Sequence, residues 1–307
     1  MRRLPWALVL AACLGPTLAA CRAGTSTPPG NALGDGAITV ASFDFPESRA
    51  LAELYAQALE GRGFRVQREP ALGPRELVEP ALERGLVELV PEYAGSALAF
   101  LGGSPTSDDD LTHQLLEDAL ASRDLTALDA APAQDRNTFA MLASAAASLG
   151  VRSISDLAGH AGSMAFGGPT ECEQRTLCLK GLEDVYGLRF ERFVTLDAGG
   201  PLTVQALVGG TVDVGLVFSS DPALDRGDLI ELRDDEHLEP AENVTPVLAR
   251  ATVDRFGPTL TDALDAVSAD LTTADLRAMN AAMLAGRSPW YVAHAWLVAH
   301  GFAVAPG

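Results

Sequence analysis

From Ile38 onward, short apolar runs alternate with stretches whose apolar residues recur at helical spacing. Ile38 to Ser42 reads as a strand. Pro46 to Arg62 reads as a helix, with Leu51, Leu54, Tyr55, Ala58 and Leu59 at i, i+3, i+4, i+7 and i+8 and a proline acceptable in the first turn. Gly63 ends it. Phe64 to Arg68 alternates as a strand, Glu76 to Arg84 is helical, and Val87 to Val90 is a short strand before Pro91. The same grammar returns as strand Met164 to Phe166, helix Leu177 to Tyr186, strand Phe190 to Leu196, helix Leu202 to Val208 and strand Val212 to Phe218. Two such units predict an α/β protein of two lobes, each built on a mostly parallel sheet.

The stretch Val253 to Gly301 reads as helices only, with Thr272-Thr273-Ala274-Asp275 as a capping signal and Leu276, Met279 and Met283 as an apolar face. Helices with no strand of their own must pack on an existing sheet, so this segment is expected back on the first lobe. The chain then crosses between lobes twice, near Asn137 and near Asn243. The expected division is 38–136 for the first part of lobe 1, 137–242 for lobe 2, and 243–307 for the return to lobe 1 with the C-terminal helices.

The N-terminus changes the picture by fixing a compartment. Met1-Arg2-Arg3 is a short basic region, Leu4 to Leu14 is apolar but too short to span a bilayer, and Leu18-Ala19-Ala20-Cys21 supplies the small residues of a cleavage site. Residues 1–20 thus read as a signal peptide. Leu-Ala-Ala-Cys resembles a bacterial lipobox, which makes Cys21 the expected lipidated residue and residues 21–37, rich in Gly, Ser, Thr and Pro, a flexible tether. The expected location is extracytoplasmic, anchored to the cell membrane as a lipoprotein.

Of 307 residues, 41 are acidic and 22 basic, a formal charge of −19 that becomes −21 once Arg2 and Arg3 are removed. Such a surface repels phosphate backbones and excludes nucleic acid as a natural partner. Lys180 is the only lysine, so Schiff-base or lysine general-base chemistry is improbable from composition alone. Cys172 and Cys178 remain as a pair in an oxidising compartment, where a disulfide closing the short loop is expected. The competing reading, a metal or redox pair, lacks Cys-x-x-Cys spacing and a nearby histidine.

His113, His160, His237, His294 and His300 show no metal-ligand spacing, and no nucleophile elbow, Walker loop or dinucleotide fingerprint follows a strand. Neither a metal nor a cofactor is expected. Gly167-Gly168 and Gly199-Gly200 each follow a strand-like run, where they either admit a ligand to the backbone or form tight turns. An exported two-lobe chain with no catalytic constellation reads as a binder. An exported hydrolase using Asp135, Glu242 and a histidine is the alternative of another class.

Several runs carry a resemblance. They are Ile38 to Ser48, Leu51 to Gln57, Pro91-Glu92-Tyr93-Ala94-Gly95-Ser96, Ala131 to Asn137, Phe166 to Cys172, Leu196 to Leu202, Phe218-Ser219-Ser220-Asp221-Pro222 and Pro240 to Pro246. In this order the chain resembles the quaternary-ammonium substrate-binding proteins of ABC transporters, which serve glycine betaine, choline and other osmoprotectants. The resemblance implies a type II periplasmic-binding-protein-like fold with a hinge and an interlobe ligand cleft, a monomer, and permease and ATPase subunits as partners. It places Tyr93 in an aromatic cage and Phe218 where many members have a second cage tyrosine. A trimethylammonium head has no N–H to donate, so aromatic faces are what can hold it.

By the same resemblance Arg175 aligns with an arginine that binds a ligand carboxylate, Ser96 stands at a ligand-contacting position, and Asp135 helps bind or orient the cage. Asn137, Ser219 and Asn243 join the expected ligand-binding set through their runs. Two departures stand out. Ala41-Ser42-Phe43-Asp44-Phe45 replaces a run that carries a lysine in many members, so Phe43 and Asp44 stand where positive charge is usual. Glu242 falls near a missing cage tyrosine. Phe43, Asp44 and Glu242 favour a net-cationic ligand such as choline, whereas Arg175 favours a zwitterion such as glycine betaine. A binding protein for an unrelated small polar solute is the runner-up.

Overall fold

The computed structural model describes residues 36–304. The expected signal peptide, Cys21 and all but the end of the tether lie outside the described residues. Strand β1 (Ala37–Phe43) leads into helix α1 (Pro46–Gly61), followed by β2 (Arg65–Gly73), α2 (Arg75–Glu83), β3 (Leu89–Tyr93), α3 (Ala94–Phe100), α4 (Asp109–Ala121) and β4 (Leu125–Ala127). The second series is β5 (Asn137–Leu142), α5 (Ala143–Leu149), β6 (Ala165–Gly168), α6 (Leu179–Tyr186), β7 (Arg192–Thr195), α7 (Pro201–Val208), β8 (Val214–Phe218) and β9 (Leu229–Glu231). The chain closes with β10 (Val244–Ala249), α8 (Arg250–Phe256), α9 (Pro258–Asp270), α10 (Thr273–Leu284) and α11 (Pro289–Ala299).

The strands form two five-stranded sheets, ordered β2-β1-β3-β10-β4 and β7-β6-β8-β5-β9. In each, four strands run the same way and one is reversed: β10 pairs antiparallel with β3 and β4, and β5 pairs antiparallel with β8 and β9. The reversed strand is the first that the chain lays down after passing from one sheet to the other. Its start therefore lies beside the carboxyl ends of the forward strands, as the pairings Val244 with Tyr93 and Asn137 with Phe218 record.

Both faces of each sheet are covered, so alternate residues of one strand serve different cores. In β1, Ile38 and Val40 pack among α1, α9 and α11, whereas Ala41 and Phe43 pack on the other side with Val78, Leu98 and Leu116. In β5, Phe139 and Met141 share a core with Phe166 and Leu182, and Ala140 faces Leu207 on the far side. The helical periodicity of α1 buries Leu51, Leu54, Tyr55 and Leu59 as its spacing requires. Thr272 and Asp275 form a reciprocal capping box at the start of α10.

Two strands run past the prolines where their sequence pattern stops. β3 continues through Pro91 because Pro91 and Pro246 of β10 face each other as a non-hydrogen-bonded pair, two residues from the like pair Tyr93–Val244 that the Ala94 N–H to Asn243 carbonyl bond identifies, so both nitrogens point out of this ladder. β2 continues through Pro70 because it is an edge strand with one unpaired side. β10 itself, β5 and the short edge strands β4 and β9 are additions to the strands expected from the pattern. The two connecting segments lie side by side: Asp135 N–H donates to the Glu242 carbonyl at 3.2 Å, and Gln134 and Asn243 form an antiparallel bridge. Cys172 and Cys178 form a disulfide under the β6–α6 connection. Among the described residues, no helix is long and apolar enough to cross a membrane.

Candidate functional site

A cleft of about 1060 Å³ opens between the sheets at the ends just described. That is just above the roughly 300–1,000 Å³ usual for small-molecule pockets. One wall comes from the end of β1 and the start of α1, with Phe43, Asp44, Phe45 and Glu47, and from Arg75, Tyr93 and Ser96. The opposite wall has Gly199, Phe218, Ser220 and Arg226; Asp135 comes from the first connection, and Asn280 and Met283 from α10.

The first wall is an aromatic stack. The rings of Phe43 and Phe45 lie 6.0 Å apart and nearly parallel, and Phe45 and Tyr93 follow at 6.1 Å. Phe45 is the exposed member at 37%, whereas Phe43 and Tyr93 are buried. The guanidinium of Arg75 covers the Phe43 ring at 5.0 Å, so that ring is already occupied by a cation. Arg75 also grips Glu92 with two nitrogens, the shorter contact at 2.8 Å, and Glu92 has no exposed surface. Burial alone would lower the Arg75 pKa, but the Glu92 carboxylate outweighs it and raises it.

Acidic groups stand beside this stack. The Tyr93 hydroxyl donates to Glu47 Oε1 at 2.7 Å, and Asn280 donates to Glu47 Oε2. Burial and the adjacent Glu47 charge push the Tyr93 hydroxyl well above its usual range. Burial, then Glu47 again, raises the Asp135 carboxyl well above the ordinary carboxylate range. On the opposite wall Gly199 has φ +66°, and a Cβ there would stand 2.7 Å from the Phe218 ring; its glycine is what admits the ring.

Of the expected ligand-binding residues, Phe43, Asp44, Tyr93, Ser96, Asp135 and Phe218 line this cleft. Five others serve elsewhere. Arg175, its side chain 62% exposed, pairs with Glu171 at 3.4 Å outside the cleft lining. Glu242 accepts from the Ser96 amide at 2.9 Å and hydroxyl at 2.7 Å, capping the start of α3; burial pushes its carboxyl up to about 7. Ser219 joins the two connecting regions, donating to the Gln134 carbonyl and accepting from the Arg136 amide, both at 3.0 Å. Asn137 donates to the Leu177 carbonyl and Asn243 to that of Ala131.

Phe45, Glu47, Arg75 and Asn280 line the cleft outside the expected ligand-binding set, and Met283, expected on the apolar face of its helix, lines it too. Phe45 and Glu47 lie in the strand-to-helix turn Asp-Phe-Pro-Glu, whose place at a strand's carboxyl end was a usable signal. Arg75 and Asn280 carry no local signal. No histidine lines the cleft, and among the described residues no group of three His, Cys, Asp or Glu side chains could hold a metal ion.

Comparison with known proteins places this geometry. Residues 36–299 match the model for the substrate-binding domain of ABC-type glycine betaine transport systems. A glycine-betaine-binding protein of Pseudomonas aeruginosa is 31% identical over 257 residues, covering 77% of this chain and 79% of that protein. The glycine betaine-binding protein YehZ of Escherichia coli is 25% identical over 249 residues, 77% of this chain and 81% of that one. A solved structure of a glycine betaine/carnitine/choline ABC transporter component superposes with TM-score 0.80 at 21% identity, over 86% of this chain and 99% of the other. The two-sheet α/β architecture, the cleft between its sheets and the match over nearly all described residues make this a transport binding protein and not an enzyme: the chain belongs to the family of substrate-binding domains of ABC-type glycine betaine transport systems.

Proposed function

We propose that this protein captures a quaternary-ammonium compound, such as choline or glycine betaine, between two closing lobes and delivers it to an ABC permease. One observation carries the reading: the rings of Phe45 and Tyr93, with Phe43 stacked behind Phe45 under Arg75, stand beside the carboxyl groups of Asp44, Glu47 and Asp135 in a cleft between two sheets. A methylated ammonium needs that combination, since π faces and nearby carboxylates attract it without asking it to donate a hydrogen bond. The lobes are residues 38–136 with 243–307, and residues 137–242. They hinge on the paired connections at Asp135 and Glu242. The protein works as an extracytoplasmic monomer held to the membrane by lipid on Cys21. The matched relatives are named for glycine betaine, which supports the ligand class.

Calorimetry and thermal shift with betaine, choline, carnitine and proline betaine test the proposal. Binding of at least one, with stabilisation that grows with its concentration, is the expected result. No heat and no stabilisation by any of them at millimolar concentration, with a response to an amino acid or sugar in the same screen, would overturn it in favour of another small polar solute.

A further inference from the structure

The cleft brings two carboxyl groups together without a cation to match them. Glu47 opens α1, and Asp135 lies on the first connecting segment; both line the cleft. Around them runs a closed set of contacts. Tyr93 donates to one oxygen of Glu47, Asn280 donates to the other, and the same Asn280 amide reaches the Ser220 carbonyl at 3.2 Å. Ser220 in turn lies against the Asp135 carboxyl, whose Oδ1 is shut off from solvent and has no hydrogen-bond partner.

The neighbouring cations are engaged elsewhere. Arg49 pairs with Asp44 at 2.7 Å, Arg75 with Glu92 at 2.8 Å, and Arg277 of α10 with Asp225 at 3.1 Å and Glu231 at 3.3 Å. Arg226 stands on the opposite wall with Asp221. Two carboxyls placed together away from water do not both ionise unless a positive charge joins them. Tyr93 cannot supply that charge, because a phenol is neutral or anionic.

We propose that the ligand-free cleft holds a proton on the Asp135 carboxyl beside Glu47, and that a net-cationic quaternary amine of the choline type takes its place, so that capture releases the proton to solvent. The inference rests on the quaternary-ammonium reading of the cleft. The balance is simple: the O–H bond of the Asp135 carboxyl breaks, the proton passes to water or buffer, and the ammonium supplies the positive charge that leaves. Glycine betaine brings its own carboxylate, so its entry adds no net charge and drives less release. The shift of the Asp135 carboxyl to a raised pKa, from burial and from Glu47, agrees with this arrangement.

Glu242, pushed up to about 7 by burial, and Asp221, which lines the cleft and is also raised by burial, are the other groups whose titration could imitate the effect. The test therefore titrates choline and betaine into the full protein in two buffers of different ionisation enthalpy. It adds Asp135→Asn, Glu47→Gln and Glu242→Gln as variants. The expected result is release of about one proton on choline binding and clearly less on betaine binding. Below the pH at which the pair ionises, choline Kd should weaken by up to about tenfold per pH unit. Asp135→Asn or Glu47→Gln should abolish the release, and Glu242→Gln should retain it. Choline binding with equal heat in both buffers and a flat Kd would overturn the inference while leaving the quaternary-ammonium reading intact. Release that vanishes only in Glu242→Gln would overturn it equally. Should one variant fail to fold, the wild-type comparison between buffers still decides. Binding of neither amine would overturn both statements.

Discussion

The Tyr93 hydroxyl and the Glu47 carboxylate meet at 2.7 Å, tying the last residue of β3 to the first turn of α1 at the floor of the cleft. The bond holds the Tyr93 ring in its stack beside Phe45, so the ring's position depends on an acid from another element. Removing the whole side chain and removing only the hydroxyl should therefore separate two effects.

Tyr93→Ala takes away a π face worth up to ~2 kcal/mol, and calorimetry should show the Kd for choline or betaine rise by roughly thirtyfold. Tyr93→Phe keeps the face and leaves Glu47 short of a donor inside a buried site. It should keep affinity within about threefold while lowering stability by about 1 kcal/mol in urea denaturation. Equal loss of affinity in both variants would mean that the hydroxyl, and not the ring, holds the ligand.

Arginines supply a second contrast. Arg175 sits exposed in an i, i+4 pair with Glu171, a geometry worth a few tenths of a kcal/mol. Arg175→Ala should leave betaine affinity within about twofold, and a large loss confined to betaine would return Arg175 to the site. Arg75 is the cleft's own arginine. Arg75→Ala would strand Glu92, which is fully buried, and should cost about 3–5 kcal/mol in denaturation. Replacing both residues with apolar side chains of similar volume should recover most of that loss.

These arginines show which parts of the fold were legible in the sequence. Helix α1 was legible because its apolar spacing is local, and the capping box at Thr272 because it spans four residues. The two-lobe architecture followed from repeated strand and helix patterns. β3 beyond Pro91 was not legible, because what makes a proline tolerable there is its register against β10, a strand far along the chain. The cleft was half legible for the same reason. Asp44, Tyr93 and Phe218 stand at strand ends where ligands gather, but Asn280 reaches Glu47 across 233 positions and Glu242 turns away to cap α3. Nothing near either residue in sequence announces those partners.

Burial gives a pH prediction. Glu239 is buried with Oε1 unpartnered, and desolvation together with Asp234 pushes its carboxyl up to about 9 from an ordinary 4.5. The folded chain then binds a proton that the unfolded chain has lost, so between pH 4.5 and 9 stability falls as pH rises. Below that window the group contributes no slope. Glu239→Gln should reduce the slope across the window, leaving the part that Glu79, Glu242 and Asp135 contribute, and raise stability at pH 8 by about 1–3 kcal/mol, or about 2–4 °C per kcal/mol. A variant with the same slope as wild type would place the titrating group elsewhere.

Gly199 carries the last prediction, because two costs meet there and a second glycine separates them. Its φ of +66° disfavours any side chain, and a Cβ would stand 2.7 Å from Cδ2 and 2.9 Å from Cε2 of Phe218. Gly187 has nearly the same φ, +67°, with nothing within 4 Å of the added atom. Gly187→Ala therefore measures backbone strain alone, about 1 kcal/mol. Gly199→Ala adds the displacement of the Phe218 ring, a further 1–3 kcal/mol by the usual cost of overpacking, about the same again or more. Because Phe218 lines the cleft, Gly199→Ala should also weaken ligand binding, and Gly187→Ala should not. If the two variants lose equal stability and Gly199→Ala binds ligand as wild type does, the ring can yield without consequence and Phe218 takes no part in capture.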